Sequence, residues 1–317
     1  MELIGELISA VGEVAPELLP DCDVRRIPLV YTSHEFKEKL KAASDRSVIV
    51  FSNYVLELKN ELLAGVVNVL VSEIARRIKT AKVLYALESN SLARSYPLII
   101  GLCDAAVFFS EEDGLKYIAR LKEKNEEKLS LKKLENEEIA AYFVTLTRFG
   151  IEYVMIEPAL CKLRYQQNQL FKSDFASISG TKLNHTILKF LQAQEGKRNP
   201  LGRKALETAM LLGISRGTFA CMGKTIGGTF EAILITDKRD NSKWIPLFTD
   251  TAEIQDTYVN VPSAAKPLMS GETVTMNFRE LKRFMALPQV SGVIINIGGC
   301  GLRLEKERCR KLMGEIN

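Results

Sequence analysis

The sequence predicts a mixed α/β fold built from tandem related domains, each a mixed β-sheet covered by helices, and three observations carry that prediction. The stretch 273–317 reads as a short strand (Thr273-Val274-Thr275-Met276), a helix (278–287), a wholly apolar strand (292–297), a glycine turn, the alternating Leu302-Arg303-Leu304 and a charged helix. The same order recurs upstream: 82–87 answers 218–222, an apolar hairpin at 98–109 answers 231–248, and Leu129-Ser130-Leu131 followed by 150–158 and 160–167 repeats the back half. A length of 317 residues with 46% hydrophobic and 26% charged side chains exceeds one ordinary domain and supplies real cores.

In chain order, 2–19 reads as an amphipathic helix ended by Pro20, 27–31 as a strand, 34–43 as a helix and Val48-Ile49-Val50-Phe51 as a buried strand. An ungapped slide lays that run under Val293-Ile294-Ile295-Asn296 and lays Phe36 and Leu40 under Leu281 and Met285. Residues 27–61 are therefore expected to be an extra, detached back half of the repeat. The stretch 62–79 carries apolar residues at helical spacing, and its many valines predict cover around most of its circumference. Strand 82–87 and the hairpin 98–109 follow, and 122–138, mostly Lys, Glu, Asn and Leu, is expected to be a solvated helix or connection.

The second half begins near Thr181. Helices at 183–194 and 203–212 flank a turn at 196–200, and strands at 218–222, 229–236 and 244–248 follow, with a polar turn at 237–243. A helix start is expected at 249–253, with Glu253 able to close a capping box from Asp250 or Thr249. The domains are drawn as 1–172, containing the unit at 27–61 and a fuller copy at 62–170, and 180–317.

The segment Trp244-Ile245-Pro246-Leu247-Phe248-Thr249-Asp250, after a strand and polar turn, resembles the Pro-x-Phe-Thr-Asp segment of the SseB family, named for a bacterial enhanced-serine-sensitivity protein. Gly292-Val293-Ile294-Ile295-Asn296 is similar to that family's later Gly-Val-Val-Ile-Asn-Pro strand, with Ile297 standing where proline is expected. The likeness covers roughly 180–317 and, degenerately, 62–170. It implies an α/β domain of a bacterial protein, with no established catalytic residues to carry over. A weaker likeness joins 27–118 to the STAS interaction modules, without their Asp-Ser phosphorylation segment.

Composition narrows the function classes. A net charge of +4, from 43 basic and 39 acidic residues, is too mild and too interleaved for a dedicated nucleic-acid binder, even counting Lys197-Arg198, Arg203-Lys204 and 303–310. No run of 18 or more apolar residues predicts a membrane span, and the acidic 1–20 does not read as a secretory signal. Six scattered cysteines with no CxxC pair fit a reducing cytoplasm. Gly223-Lys224-Thr225 lacks the spacing of a phosphate loop, because Thr218 stands where a glycine is required.

Gly298-Gly299-Cys300-Gly301, after an apolar strand ending at Asn296, is the best local candidate for a ligand site, through an anion-binding set of backbone N–H groups or the Cys300 thiol. A plain turn feeding 302–304 is its structural alternative. Trp244, placed before Pro246 at an expected sheet edge, is a candidate contact anchor or core cover. His34 and His185, the two histidines, form neither a zinc set nor a triad. The expected role is a non-catalytic binding or regulatory protein of the bacterial cytoplasm with a protein partner and no cofactor or metal. Small-ligand binding or thiol chemistry at 298–301 is the alternative.

Overall fold

The computed structural model describes residue 18 and residues 31–57, 63–90, 95–122, 128–160, 163–172, 177–195 and 200–314. The expected helix at 2–19 (Leu18 apart), most of the expected strand at 27–31, and the turn at 196–199 lie outside these residues. The first half runs α1 (His34–Ala42), α2 (Asp45–Glu57), α3 (Ala64–Thr80), β1 (Val83–Ser89), β2 (Tyr96–Pro97), β3 (Asp104–Phe108), α4 (Glu111–Lys122), β4 (Leu129–Glu135), α5 (Glu137–Arg148), β5 (Tyr153–Ile156), β6 (Arg164–Gln166) and α6 (Gln167–Leu170). The second runs α7 (Thr181–Glu195), α8 (Pro200–Arg216), β7 (Thr218–Ile226), β8 (Thr229–Ala232), β9 (Ile235–Thr236), β10 (Lys243–Phe248), α9 (Thr251–Asn260), α10 (Pro262–Leu268), β11 (Glu272–Asn277), a 3₁₀ turn (Phe278–Leu281), α11 (Lys282–Met285), β12 (Val290–Ile295), β13 (Leu302–Glu305) and α12 (Lys306–Leu312).

The chain is mixed α/β, with two mixed sheets of six and seven strands. In the first, β1 pairs with β4 along its length and with β3 and then β2 at successive positions, β5 runs parallel to β3, and β6 closes the edge. In the second, β7 lies between β11 and β10, β12 runs parallel to β10, and β13 closes the edge. The short β8 occupies the place of β2, beside β7, and the short β9 pairs with β10. Five strands of each sheet, β4-β1-β3-β5-β6 and β11-β7-β10-β12-β13, thus share order and pairing direction, and β9 has no equivalent in the first.

Three sequence expectations are overturned, at Val48–Phe51, at 122–138 and at Trp244. Val48-Ile49-Val50-Phe51 is helical, inside α2, where eight of thirteen residues are buried. A short continuous apolar run has no period to separate a buried strand from a helix covered all round. Ser44 Oγ accepts from the Ser47 N–H (3.1 Å) and starts the helix, and Ser52 Oγ donates to Val48 O (2.7 Å) within it. The strand that made 27–61 a detached back half is therefore absent. The charged segment expected at 122–138 as a solvated helix or connection contains β4, paired with β1 along seven residues. β4 has one neighbour in the sheet, and its exposed Lys132 and Lys133 suit an edge strand that must not recruit another.

Each sheet has a large apolar core on one face, formed with α1–α3 and α5 in the first half and with α7, α8 and the 278–285 turns in the second. The opposite faces hold smaller clusters, centred on Phe108 and Ile118 under α4, and on Phe248 and Ile254 under α9 and α10. Ile295 is fully buried and Ile294 nearly so, as expected for β12 between two neighbours. Trp244 corrects an expectation, because β10 is internal rather than an edge. Pro246 is tolerated there because β9 pairs only as far as Trp244 and β7 begins at Leu247, leaving no antiparallel partner that needs its missing N–H.

The seam between the halves is built on α7. Leu188 packs into the first core while Leu183, Ile187 and Leu191 pack into the second. Gln192, buried, accepts from the Ile99 N–H (3.1 Å) and donates to Pro97 O (2.9 Å) across the seam. Gly150 has φ +60°, and a Cβ there would lie 2.9 Å from Thr181 O, so this turn approaches α7 only as glycine.

Candidate functional site

The loop after β12 is organised by Asn296, which sits in the left-handed region (φ +56°) and is buried. Its N–H donates to Leu247 O (2.8 Å), its Oδ1 accepts from the Thr249 N–H (3.0 Å), and its Nδ2 donates to Thr249 Oγ1 (2.9 Å). Asn296 therefore ties the ends of the parallel pair β10–β12 together. Its carbonyl accepts from the N–H groups of Gly299 (2.8 Å) and Gly301 (2.9 Å). Two donors that an anion-binding loop would have offered are thus used internally.

The glycines have a different physical reason. Only Gly301 needs a positive φ, at +60°. A Cβ on Gly298 would lie 2.3 Å from the Thr257 backbone N, and one on Gly299 would lie 2.3 Å from Glu253 Oε2. The loop is glycine so that it can lie against α9. The Cys300 thiol reaches toward Ile295 O (3.8 Å) and packs against both large cores. Burial, with Glu253 adding to it, pushes the thiol up to about 12, opposite to the shift an activated nucleophile requires. His34 lies in α1, and the His185 ring donates through Nδ1 to Phe149 O (3.2 Å), so neither histidine is placed as its base.

Beside this loop lies a cluster that sequence reasoning missed. Arg148, the last residue of α5, crosses the seam and contacts Glu253 (Nη2–Oε1 2.5 Å), Asp256 (Nη1–Oδ2 2.9 Å) and Asp250 (Nε–Oδ1 3.3 Å). Asp250 and Glu253 are almost wholly buried, and Asp256 is 40% exposed. Asp250 also caps α9, accepting from the Glu253 N–H (2.9 Å), and the Asn184 amide of α7 donates to Asp250 Oδ2 and Arg148 O (both 3.1 Å). The expected capping box is half present, because the Glu253 carboxylate turns to Arg148. Burial pushes Glu253 up to about 8 against the pull of Arg148, with Asp250 and Asp256 adding to the rise. Burial also works against the Arg148 charge, and the three carboxylates more than offset it, raising its pKa. The Asp250 cap was legible in the sequence, but the partner 102 positions away was not.

The first half carries a counterpart. Glu157 follows β5 as Asn296 follows β12, with φ +47° and full burial. Its N–H donates to Val107 O (3.0 Å), and its Oε1 accepts from the Phe109 N–H (2.7 Å). Asp113, one turn into α4, takes the place of Glu253 and accepts two bonds from Arg46 Nη1 (2.9 and 2.7 Å), whose side chain is 48% exposed. Burial pushes Glu157 up to about 7, with Asp113 adding to the rise and Arg46 opposing it.

Three of the five sequence candidates meet in one place. Trp244, Gly299 and Cys300 line a cavity of about 400 Å³ with Ile294, Arg239 and Arg303, whereas Asn296 and Gly298 lie behind it. Among the described residues, no group of three or more His, Cys, Asp or Glu is placed to hold a metal ion.

No protein-family model and no curated protein matches the chain. Among solved structures, Anabaena Tic22 (protein transport) matches at 9% identity and a TM-score of 0.18, over 70% of this chain and 91% of that one. At that TM-score the match carries no argument about fold or function.

Proposed function

We propose that the chain is a non-catalytic binding protein of the bacterial cytoplasm, acting through protein–protein contacts and descended from an internal duplication of one SseB-like unit. The observation that carries the reading is the second face of the second sheet. There α9 and α10 cover a small cluster, leave Tyr258, Ile233 and Ile297 half-buried, and present Val259 and Met269 to solvent at 78% and 66% exposure. Two exposed apolar side chains, on and just after helices that pack on each other over a half-buried apolar set, make this face the candidate contact surface.

The raised Cys300 thiol, and polar groups at 296–301 already satisfied or buried, weigh against acyl or group transfer at that loop. The shared strand order and the matched Glu157 and Asn296 support the duplication. The SseB-like residues Phe248, Thr249 and Asp250 hold a core position and a helix cap. In the basic stretch 303–310, Arg303 and Arg308 pair with Asp237 and Glu207, which disfavours a nucleic-acid surface. Among the described residues no helix is long and apolar enough to cross a membrane.

The test is affinity capture from a bacterial lysate with the wild-type chain and with the double variant Val259→Asp, Met269→Asp. A stoichiometric partner held by the former and lost by the latter, with the thermal melt unchanged, is expected. Identical capture by both proteins overturns the assignment to this face, and turnover of any substrate that depends on Cys300 overturns the non-catalytic reading.

A further inference from the structure

The cavity over β10, β12 and β13 has two unlike walls. Its floor is the face of the second sheet opposite the large core, where Ile294 lies opposite Arg303 in register and Trp244 sits beside Gly292. Gly292 is there for clearance: at φ +153° a Cβ would lie 2.1 Å from Leu304 O and 3.0 Å from the indole. The indole thus lies across β12, with its Nε1 donating to Ser242 Oγ (2.7 Å) and the Arg303 guanidinium 5.1 Å from its ring centre. Ile297 completes an apolar surface.

The rim is cationic. Arg303, Arg239 and Lys238 line it, against the single carboxylate of Asp237, which both arginines contact at 2.7 Å. Hydrogen bonds from Arg239 and Arg303 hold the Asp237 carboxyl well below the usual range, so its one negative charge is always present and leaves two positive charges unbalanced along the rim. Asp240, in the same turn, accepts from Ser242 and does not line the cavity. An apolar floor with a few convergent polar groups is the usual build of a small-molecule site, and guanidinium forks pair with the oxygens of carboxylates and other oxyanions.

We propose that this cavity binds a small organic anion with a flat apolar body, its carboxylate or sulfonate held by Arg239 and Arg303 and its body against Trp244, Ile294 and Ile297. The site adjoins the protein-contact face, sharing Ile297 and the start of α10 at Ser263 and Ala264, and it assigns the 298–301 loop the role of a wall rather than a reacting group.

Trp244 is the only tryptophan in the chain, so sensitised emission has a single donor, and the arginine variants locate the probe at this cavity. The probe is 1-anilinonaphthalene-8-sulfonate, compared with N-phenyl-1-naphthylamine, the same ring system without the charge. Saturable, tryptophan-sensitised emission is expected, at one site per chain and about tenfold tighter for the sulfonate. Arg303→Gln and Arg239→Gln are each expected to lose most of that preference while leaving the neutral probe unaffected. The Arg239 side chain is 77% exposed, so its variant tests recognition without threatening the fold. Equal binding of the two probes, sulfonate binding unchanged in Arg239→Gln, or the absence of sensitised emission overturns the proposal.

Discussion

The two halves solve the same problem at the ends of their parallel strands with different chemistry. Each places a buried, left-handed residue after the second parallel strand, and each uses its side chain to hold the backbone leaving the first. In the second half that residue is Asn296, neutral at every pH, and in the first it is Glu157, which titrates. The acid one turn into the following helix differs as well. Asp113 is matched by Arg46 within its own half, whereas Glu253 is matched by Arg148 from the other half. Shared topology therefore leaves room for one half to devote its charges to itself and the other to the seam.

Removing the cations should separate the two arrangements most. Arg148→Met leaves Asp250 buried without its countercharge and Glu253 without its partner, and should cost about 3–5 kcal/mol in urea denaturation. Arg46→Met removes a half-exposed partner from one buried acid and should cost about 1–2 kcal/mol. Equal losses would mean that the seam cluster is no more demanding than its counterpart.

The matched strands offer a sharper comparison. Ile295 pairs with Leu247, and Ile156 with Val107, in the same parallel register, and both isoleucines are almost wholly buried. Each Ile→Ala variant should lose about 2–5 kcal/mol. A loss below about 1 kcal/mol at one position would show that the two sheets do not share a packing role there.

The pH response should carry a share from Glu157 beside the larger one from Glu253, which is raised to about 8. With its folded pKa raised to about 7, Glu157 binds its proton more tightly in the folded state, so stability is fullest in acid and falls as pH rises from the unfolded carboxylate range through about 7. The slope from this one group is at most about 1.4 kcal/mol per pH unit. Denaturation midpoints at pH 5 and pH 8 should therefore lie closer together in Glu157→Gln than in the wild type. An unchanged pH dependence would contradict the raised pKa.

The smallest effect concerns Cys300. A thiol pushed up to about 12 is nearly all protonated at pH 8, so iodoacetamide should label it no faster than an ordinary free thiol. Rapid labelling would return the thiol-enzyme reading.

The fold was legible where the chain alternates or punctuates clearly. Trp244–Phe248, Val293–Ile295 and Leu302–Leu304 each carry a two-residue period or a bounded apolar run, and each is a strand. Val48–Phe51 misled because the same apolar run suits a helix buried on every side. β4 was legible at its start, where Leu129-Ser130-Leu131 answers the strand at 273–276, but its Lys- and Glu-rich remainder has the composition of a solvated helix. The glycines of 298–301 were visible, but their reason was not, because clearance against Glu253 and Thr257 depends on how α9 docks. Arg148 carried no signal in sequence. Its meaning arises only when the end of α5 meets the start of α9.

The helix α7 has a consequence for dissection of the chain. By order it opens the second half, yet Leu188 completes the first core, and Gln192 and Asn184 satisfy carbonyls of the first half. A cut placed before Thr181 would strip the first half of its lid, and one placed after Glu195 would strip the second. The segment that recurs along the chain is thus not the segment that can fold alone, and neither half should be expressible by itself without borrowing this helix.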